Sequence, residues 1–220
     1  MRRWWTFGPY VLVGLIHLVA LSVGSDELSS ATKVLLMPAL FVALLFSLPT
    51  PRSSIALWAG LGILFSWIGD VLLSAPGETG FVTGLGAFLL AHVAYLLLFL
   101  RPLRTRGVPR LTLLLLLWWA ALLLVLAPHL GVLLVPVALY GAVLGSSTAA
   151  SFGTSRIVAL GGLFFLASDT VLAFKMFMPG FVFWQEDFAV MLAYIVGQGL
   201  IAAGAVAQAR VAVRAVPMSV

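Results

Sequence analysis

Apolar and polar positions alternate along this chain in long blocks. Apolar runs of roughly 17 to 25 residues, the length that carries a helix across a bilayer, are separated by short clusters of Pro, Gly and charge. The pattern predicts eight helices, at residues 8–23, 30–48, 54–74, 79–100, 110–127, 131–149, 156–177 and 187–209. The narrowest break is Pro128-His129-Leu130-Gly131, where a merged helix or a re-entrant hairpin competes with two separate spans. The connections are too short for a soluble domain, so residues 1–220 are expected to form one all-α transmembrane domain of eight helices. Arg2 and Arg3 precede the first run, and no small-residue cleavage pattern follows before Asp26-Glu27, so that run is expected to be retained as a helix.

Composition agrees with the pattern. Apolar residues make up 63% of the chain and charged residues 9%, with a mean hydropathy of +1.18, which excludes a soluble domain and implies a multi-pass membrane protein. Cysteine is absent, so neither disulfides nor thiolate metal ligands are available. A net charge of +5 would suggest nucleic acid in a soluble protein. Here the basic residues sit in short loops, and their expected partners are membrane lipids, with no nucleic acid.

The charges also orient the spans, because Lys and Arg gather on the cytoplasmic side. Alternate connections carry Arg2 and Arg3; Arg52; Arg101, Arg104, Arg106 and Arg110; Arg156; and Arg210 and Arg214. The opposite connections carry Asp26, Glu27, Glu78, Glu186 and Asp187, with only Lys33 and Lys175 close to that side. An even number of spans with both termini cytoplasmic satisfies this distribution, and a bacterial cell membrane is the expected location.

Two acids interrupt the apolar runs, Asp70 in Ser66-Trp67-Ile68-Gly69-Asp70 and Asp169 in Ser168-Asp169-Thr170. A charge at the bilayer centre costs roughly 2.5 to 3.5 kcal/mol even on lenient insertion scales, so such acids are functional candidates. Asp70 falls about 6 Å below the outer end of span three and Asp169 about 12 Å below that of span seven, at about 1.5 Å per residue. Ser66, Asp70 and Ser74 share one helical face, as do Tyr194 with Gln198 and His92 with Tyr95. With His17, Lys33 and Lys175 they lie in the outer half or near the middle of the spans, as stripes that should face a cavity rather than lipid.

Gly84, Gly86, Gly161, Gly162, Gly197 and Gly199 on the same spans would permit close helix approach or leave room for a ligand. Ordinary structural readings stand beside these: Asp70 paired with Lys33, His17 and His92 as hydrogen-bonded packing residues, Lys175 snorkelling, and the tryptophans, Trp4, Trp5 and Trp184 among them, as interface anchors. Tyr95 and Tyr194 each fall 25 residues after an acid, which hints at a duplicated four-helix unit. No same-face pair of metal ligands occurs, and neither a metal nor a cofactor is expected.

Lys33, the Ser66-to-Asp70 segment with Leu72 and Leu73, Gly84 through Phe88 to His92 and Tyr95, Gly161 through Asp169 with Leu172-Ala173, and Tyr194 with Gln198 together resemble the YhhN family of eight-helix membrane proteins. One departure is visible: Lys33 is followed by Val34-Leu35-Leu36, with proline only at Pro38, where the family pattern has Lys-Pro-Leu. Characterised eukaryotic members are lysoplasmalogenases, so the resemblance implies hydrolysis of the vinyl ether of a lysophospholipid to a fatty aldehyde and a glycerophospho-alcohol. That chemistry needs a proton donor for the β-carbon, an anion to stabilise the oxocarbenium ion and activate water, and an apolar slot, and two carboxyl groups in a semi-dry pocket suit it.

The implied roles are Asp169 as the deeper, more desolvated general acid and Asp70 as the shallower, hydrated, ionised partner, or the same two roles exchanged. His92 and Tyr95 would orient the acids or the water. Lys33 would meet the phosphate, and Ser66, Tyr194 and Gln198 would complete the substrate site. Hydrolysis of another lipid ether, epoxide or ester fits the same residues. So does a small proton-coupled transporter or lipid-binding protein. Oligomeric state is not readable from the residues.

Overall fold

The computed structural model describes residues 4–183 and 185–215, and its regular elements are all helical. Arg2, Arg3 and Trp184 lie outside the described residues. A 3-10 turn, Trp4–Phe7, leads into α1 (Gly8–Ser22), followed by α2 (Asp26–Ser47), α3 (Ser54–Leu73), α4 (Glu78–Leu100), α5 (Leu114–Leu130), α6 (Leu134–Ser151), α7 (Arg156–Phe177) and α8 (Glu186–Ala215). Two bounds differ from the hydropathy reading for one electrostatic reason. α2 begins four residues early because Asp26 and Glu27 sit in its first turn, where free N–H groups attract anions. α8 runs on through Arg210 to Arg214 in its last turn, where cations complement free carbonyls.

Among the described residues, seven helical stretches are long and apolar enough to cross a membrane. One of them, Arg110–Ser151, is folded back on itself. Its backbone turns at Gly131, with φ 50° and ψ −123°, a conformation that favours glycine. Trp119 Nε1 then donates to Ala138 O at 2.9 Å, a pair that a straight helix would hold about 28 Å apart. Pro128 stays inside α5, so the break falls three residues later than proline alone suggested.

α8 runs through the bundle with α1, α2, α3 and α7 around it, while α4 closes on α6, and α5 packs on α6 and α7. The most extensive packing joins α3 to α4 and α7 to α8. Lipid supplies no hydrophobic drive for helix pairing, so close contact must do it, and small residues allow it. A Cβ built on Gly161 would fall 2.9 Å from Gly197 O, and one on Gly197 2.9 Å from Phe165 N, so α7 and α8 touch backbone to backbone. Gly84 similarly admits Leu73, Gly162 admits Ser151 and Gly199 admits Tyr10. Gly86 does not belong with them: nothing lies within 4 Å of its would-be Cβ.

The indoles divide. Trp5 is exposed, as an anchor should be, whereas Trp67 donates to Val34 O and Trp118 to Thr170 Oγ1, tying neighbouring helices.

The two ends of the bundle are built differently. Every arginine among the described residues falls at one end, and loops there are stitched together: Arg106 Nε donates to Phe152 O, Gln208 Nε2 to Leu103 O and Arg210 to Ser47 O. The other end holds both lysines and the acids of the helix termini, and there the bundle is open.

Candidate active site

At the open end α2, α3, α7 and α8, with His17 of α1 and Phe88 of α4, surround a cavity of about 530 Å³. Asp70, Asp169, Lys33 and Tyr194 all line it, as do His17 and Lys175. The ion pair between Lys175 and Asp187 also borders it. Each acid arrives for a local reason. Ser66, Asp70 and Ser74 form the stripe on α3 that their spacing predicts, and Ser74 Oγ donates to Asp70 O at 2.8 Å while accepting from Lys33 Nζ at 3.4 Å.

On α8, Tyr194 and Gln198 are likewise one turn apart, and the two stripes meet as antiparallel rungs. Tyr194 OH donates to Asp70 Oδ2 at 2.7 Å, and Gln198 Nε2 donates to Ser66 Oγ at 2.9 Å. Tyr95 OH closes the lower rung by donating to Gln198 Oε1. Ser66, Tyr95 and Gln198 are buried and do not line the cavity. They form a polar latch joining α3, α4 and α8 beneath the acid, where each buried polar group is satisfied.

Asp169 is held by other helices. Tyr140 of α6 donates to its Oδ2, and His92 Nε2 of α4 lies 3.6 Å from the same oxygen. The far side of that imidazole fixes its tautomer. Ser147 Oγ donates to Leu144 O at 2.9 Å, so it accepts from His92 Nδ1 at 3.0 Å. Nδ1 therefore carries the proton of the neutral ring, and Nε2 holds one only as imidazolium. The gap from Nε2 to Asp169 is too long for a hydrogen bond, and Nε2 has no hydrogen-bond partner among the described residues.

Phe165 sits between the two acid networks, with its ring 4.5 Å from that of His92 and 5.4 Å from that of Tyr194.

The expected depth order of the acids is reversed. Asp70 is the more buried, at 6% exposure, whereas the Asp169 side chain keeps 11%. Asp70 lies nearer its helix end, but Gly69 beside it lets the Phe88 ring press close: a Cβ there would fall 2.5 Å from that ring. Asp169 lies further along α7 yet faces open space twice. Besides the cavity it borders a second crevice of about 60 Å³ between α4, α6 and α7, with Phe81, Leu85, Val137, Leu172 and Phe177 on its walls.

Tyr140, Ser147 and Phe165 were not singled out from the sequence. The first two were within reach: seven residues apart on an apolar span, they form the same kind of polar stripe as Ser66 and Asp70. Phe165 gives no such signal, since an aromatic in an apolar run reads as packing.

A model of the YhhN family matches residues 28–205. Lysoplasmalogenases from Mycobacterium bovis and Mycobacterium tuberculosis are each 33% identical to the chain over 160 residues, or 67% of this chain. The chain spans 59% of the length of these curated relatives. No solved structure matches.

Proposed function

The chain belongs to the YhhN family, and on that premise we propose that it is an integral-membrane hydrolase that cleaves the vinyl ether of a lysoplasmalogen. The observation that carries this reading is that carboxyl groups from α3 and α7 line one cavity with Lys33, and that Asp169 also borders an apolar crevice. The cavity suits a phosphate and glycerol, the crevice the first carbons of a hydrocarbon chain.

In the proposed reaction Asp169, backed by His92, gives its proton to the β-carbon of the vinyl ether, leaving an oxocarbenium ion at the carbon that bears oxygen. Asp70, entering as the carboxylate with the Tyr194 hydroxyl donating to it and Lys33 in the same cavity, stabilises that ion and takes a proton from the attacking water. The hemiacetal then collapses. Asp70 returns its proton to the departing glycerol oxygen, and the hemiacetal hydroxyl gives its proton to Asp169. Fatty aldehyde and glycerophospho-alcohol leave, and both acids are restored. Tyr95, Ser66 and Gln198 act here as positioning residues that hold α3, α4 and α8 in register.

The fold-level part of the proposal is eight spans, with α5 and α6 crossing separately, and both termini cytoplasmic in a bacterial cell membrane. The arginine end supports that orientation, and the cavity would then open on the outer face. Because the chain has no cysteine, Glu78→Cys and Thr105→Cys are clean probes. An impermeant maleimide on intact cells should label the first and spare the second; the opposite result inverts the topology.

The reaction is tested by offering lysoplasmenylethanolamine to the purified protein in proteoliposomes without an ion gradient. Aldehyde release is expected. Gradient-dependent uptake of unchanged lipid would replace the enzyme with a transporter.

A further inference from the structure

His17 has no part in the reaction just described, and it precedes the residues that the family model matches. Its ring is 2% exposed, with Nδ1 2.9 Å from Thr32 Oγ1 and 3.1 Å from Ser29 O. The Thr32 hydroxyl donates to Leu28 O at 2.6 Å, with Ser29 O at 3.1 Å as a second acceptor. Both groups facing Nδ1 are therefore acceptors, and Nδ1 carries the proton of the neutral ring. Nε2 is left as a lone pair, buried and with no hydrogen-bond partner among the described residues. A buried acceptor left in that state is costly, and in a binding site it marks where a ligand donor belongs. The ring borders the same cavity as Lys33, Asp70 and Asp169.

We propose that His17 Nε2 accepts the free glycerol hydroxyl of a single-chain lipid, and so selects lysolipids against two-chain lipids. This rests on the lysolipid reading above. Depth favours the glycerol over the headgroup as the source of the donor. His17 stands about 8 Å from the end of α1 and Asp70 about 5 Å from the end of α3, at about 1.5 Å per residue. A headgroup ammonium, nearer the mouth, meets Asp26 and Asp187 first. An esterified hydroxyl has no proton to offer, and its acyl oxygen would face the Nε2 lone pair, so a second chain is rejected by an unmet acceptor as well as by size.

The test compares a 1-alkenyl-2-hydroxy lysolipid with its 2-methoxy analogue, both as phosphoethanolamines, using the purified full chain in proteoliposomes. The wild type should prefer the hydroxy lipid about tenfold in kcat/KM, the worth of one such hydrogen bond. His17→Phe should abolish the preference by raising KM for the hydroxy lipid alone. His17→Gln, which sets an amide oxygen near the Nε2 position, should keep it.

Equal rates on the two lipids by the wild type would overturn the assignment, as would a His17→Phe protein that retains the preference or loses equally on both. If His17→Phe does not fold, the wild-type ratio and His17→Gln still decide. A wild type that releases no aldehyde from either lipid would refute the vinyl ether reaction instead. The His17 assignment would then be decided by binding of the saturated 1-alkyl-2-hydroxy and 1-alkyl-2-methoxy lipids, with the same tenfold preference expected and parity overturning it.

Discussion

Asp70 and Asp169 share a cavity, but the protein holds them in different ways. Asp70 is nearly buried beside the Phe88 ring that packs on Gly69, takes one hydrogen bond from Tyr194, and sits above a satisfied polar latch. Asp169 is more open, takes a hydrogen bond from Tyr140, and has the His92 imidazole beside it. Position along a helix therefore says little about desolvation. What covers a side chain is decided by the neighbouring helix, and a single glycine, Gly69, admits that cover. The contrast suits a division of labour between a covered acid and an open one.

The hardest test of the contrast removes each acid. Asp70→Asn and Asp169→Asn should both stay folded and each lose aldehyde release by roughly 10²- to 10⁴-fold. The double variant should be little worse than either alone, since groups that act as a unit are not additive. Full activity in either single variant would end the mechanism.

The tyrosines should separate the two sites next. Tyr194→Phe strips Asp70 of its hydrogen bond from a side chain, and a bond to a charged group is worth about 1.5 to 3 kcal/mol, or roughly ten- to a hundredfold in rate. Tyr140→Phe should cost less, because Asp169 keeps His92 beside it. Steady-state kinetics on the two proteins would sharpen the comparison if the order holds and break it if reversed.

A smaller effect is expected from Gly69→Ala. Its methyl would push the Phe88 ring aside, at a strain cost of about 1 to 3 kcal/mol. Thermal unfolding in detergent should register that loss. Gly86→Ala, with open space around it, should be neutral or slightly stabilising, since Ala outranks Gly in a helix by about 1 kcal/mol.

The repeat suggested by the 25-residue acid-to-tyrosine spacing meets a more particular result. Tyr194, which follows Asp169 in sequence, bonds Asp70 of the other half, and Tyr95, which follows Asp70, bonds Gln198 on α8. The halves interlock across the bundle at Asp70, whereas Asp169 takes its hydrogen bond from Tyr140 of its own half.

Much of this was legible in the residues because lipid is an unforgiving solvent. It demands apolar runs of fixed length, concentrates polar side chains where function or pairing needs them, and lets loop charge mark the two ends. Hence the helices, the acids, and the stripes on α3 and α8 follow from spacing alone. Spacing is a property of one helix, however, and it does not say which helix lies opposite.

Three things needed the packed bundle. The first was that Tyr140 and His92 reach Asp169 while Tyr95 turns away to Gln198. The second was that Asp70 is the better covered acid. The third was that His17 keeps one nitrogen without a hydrogen-bond partner among the described residues. Each depends on contacts between residues far apart in the chain, formed where glycines let helix surfaces close to within van der Waals distance. The amino-acid order determined what each helix could offer, and only the tertiary packing decided what each side chain met.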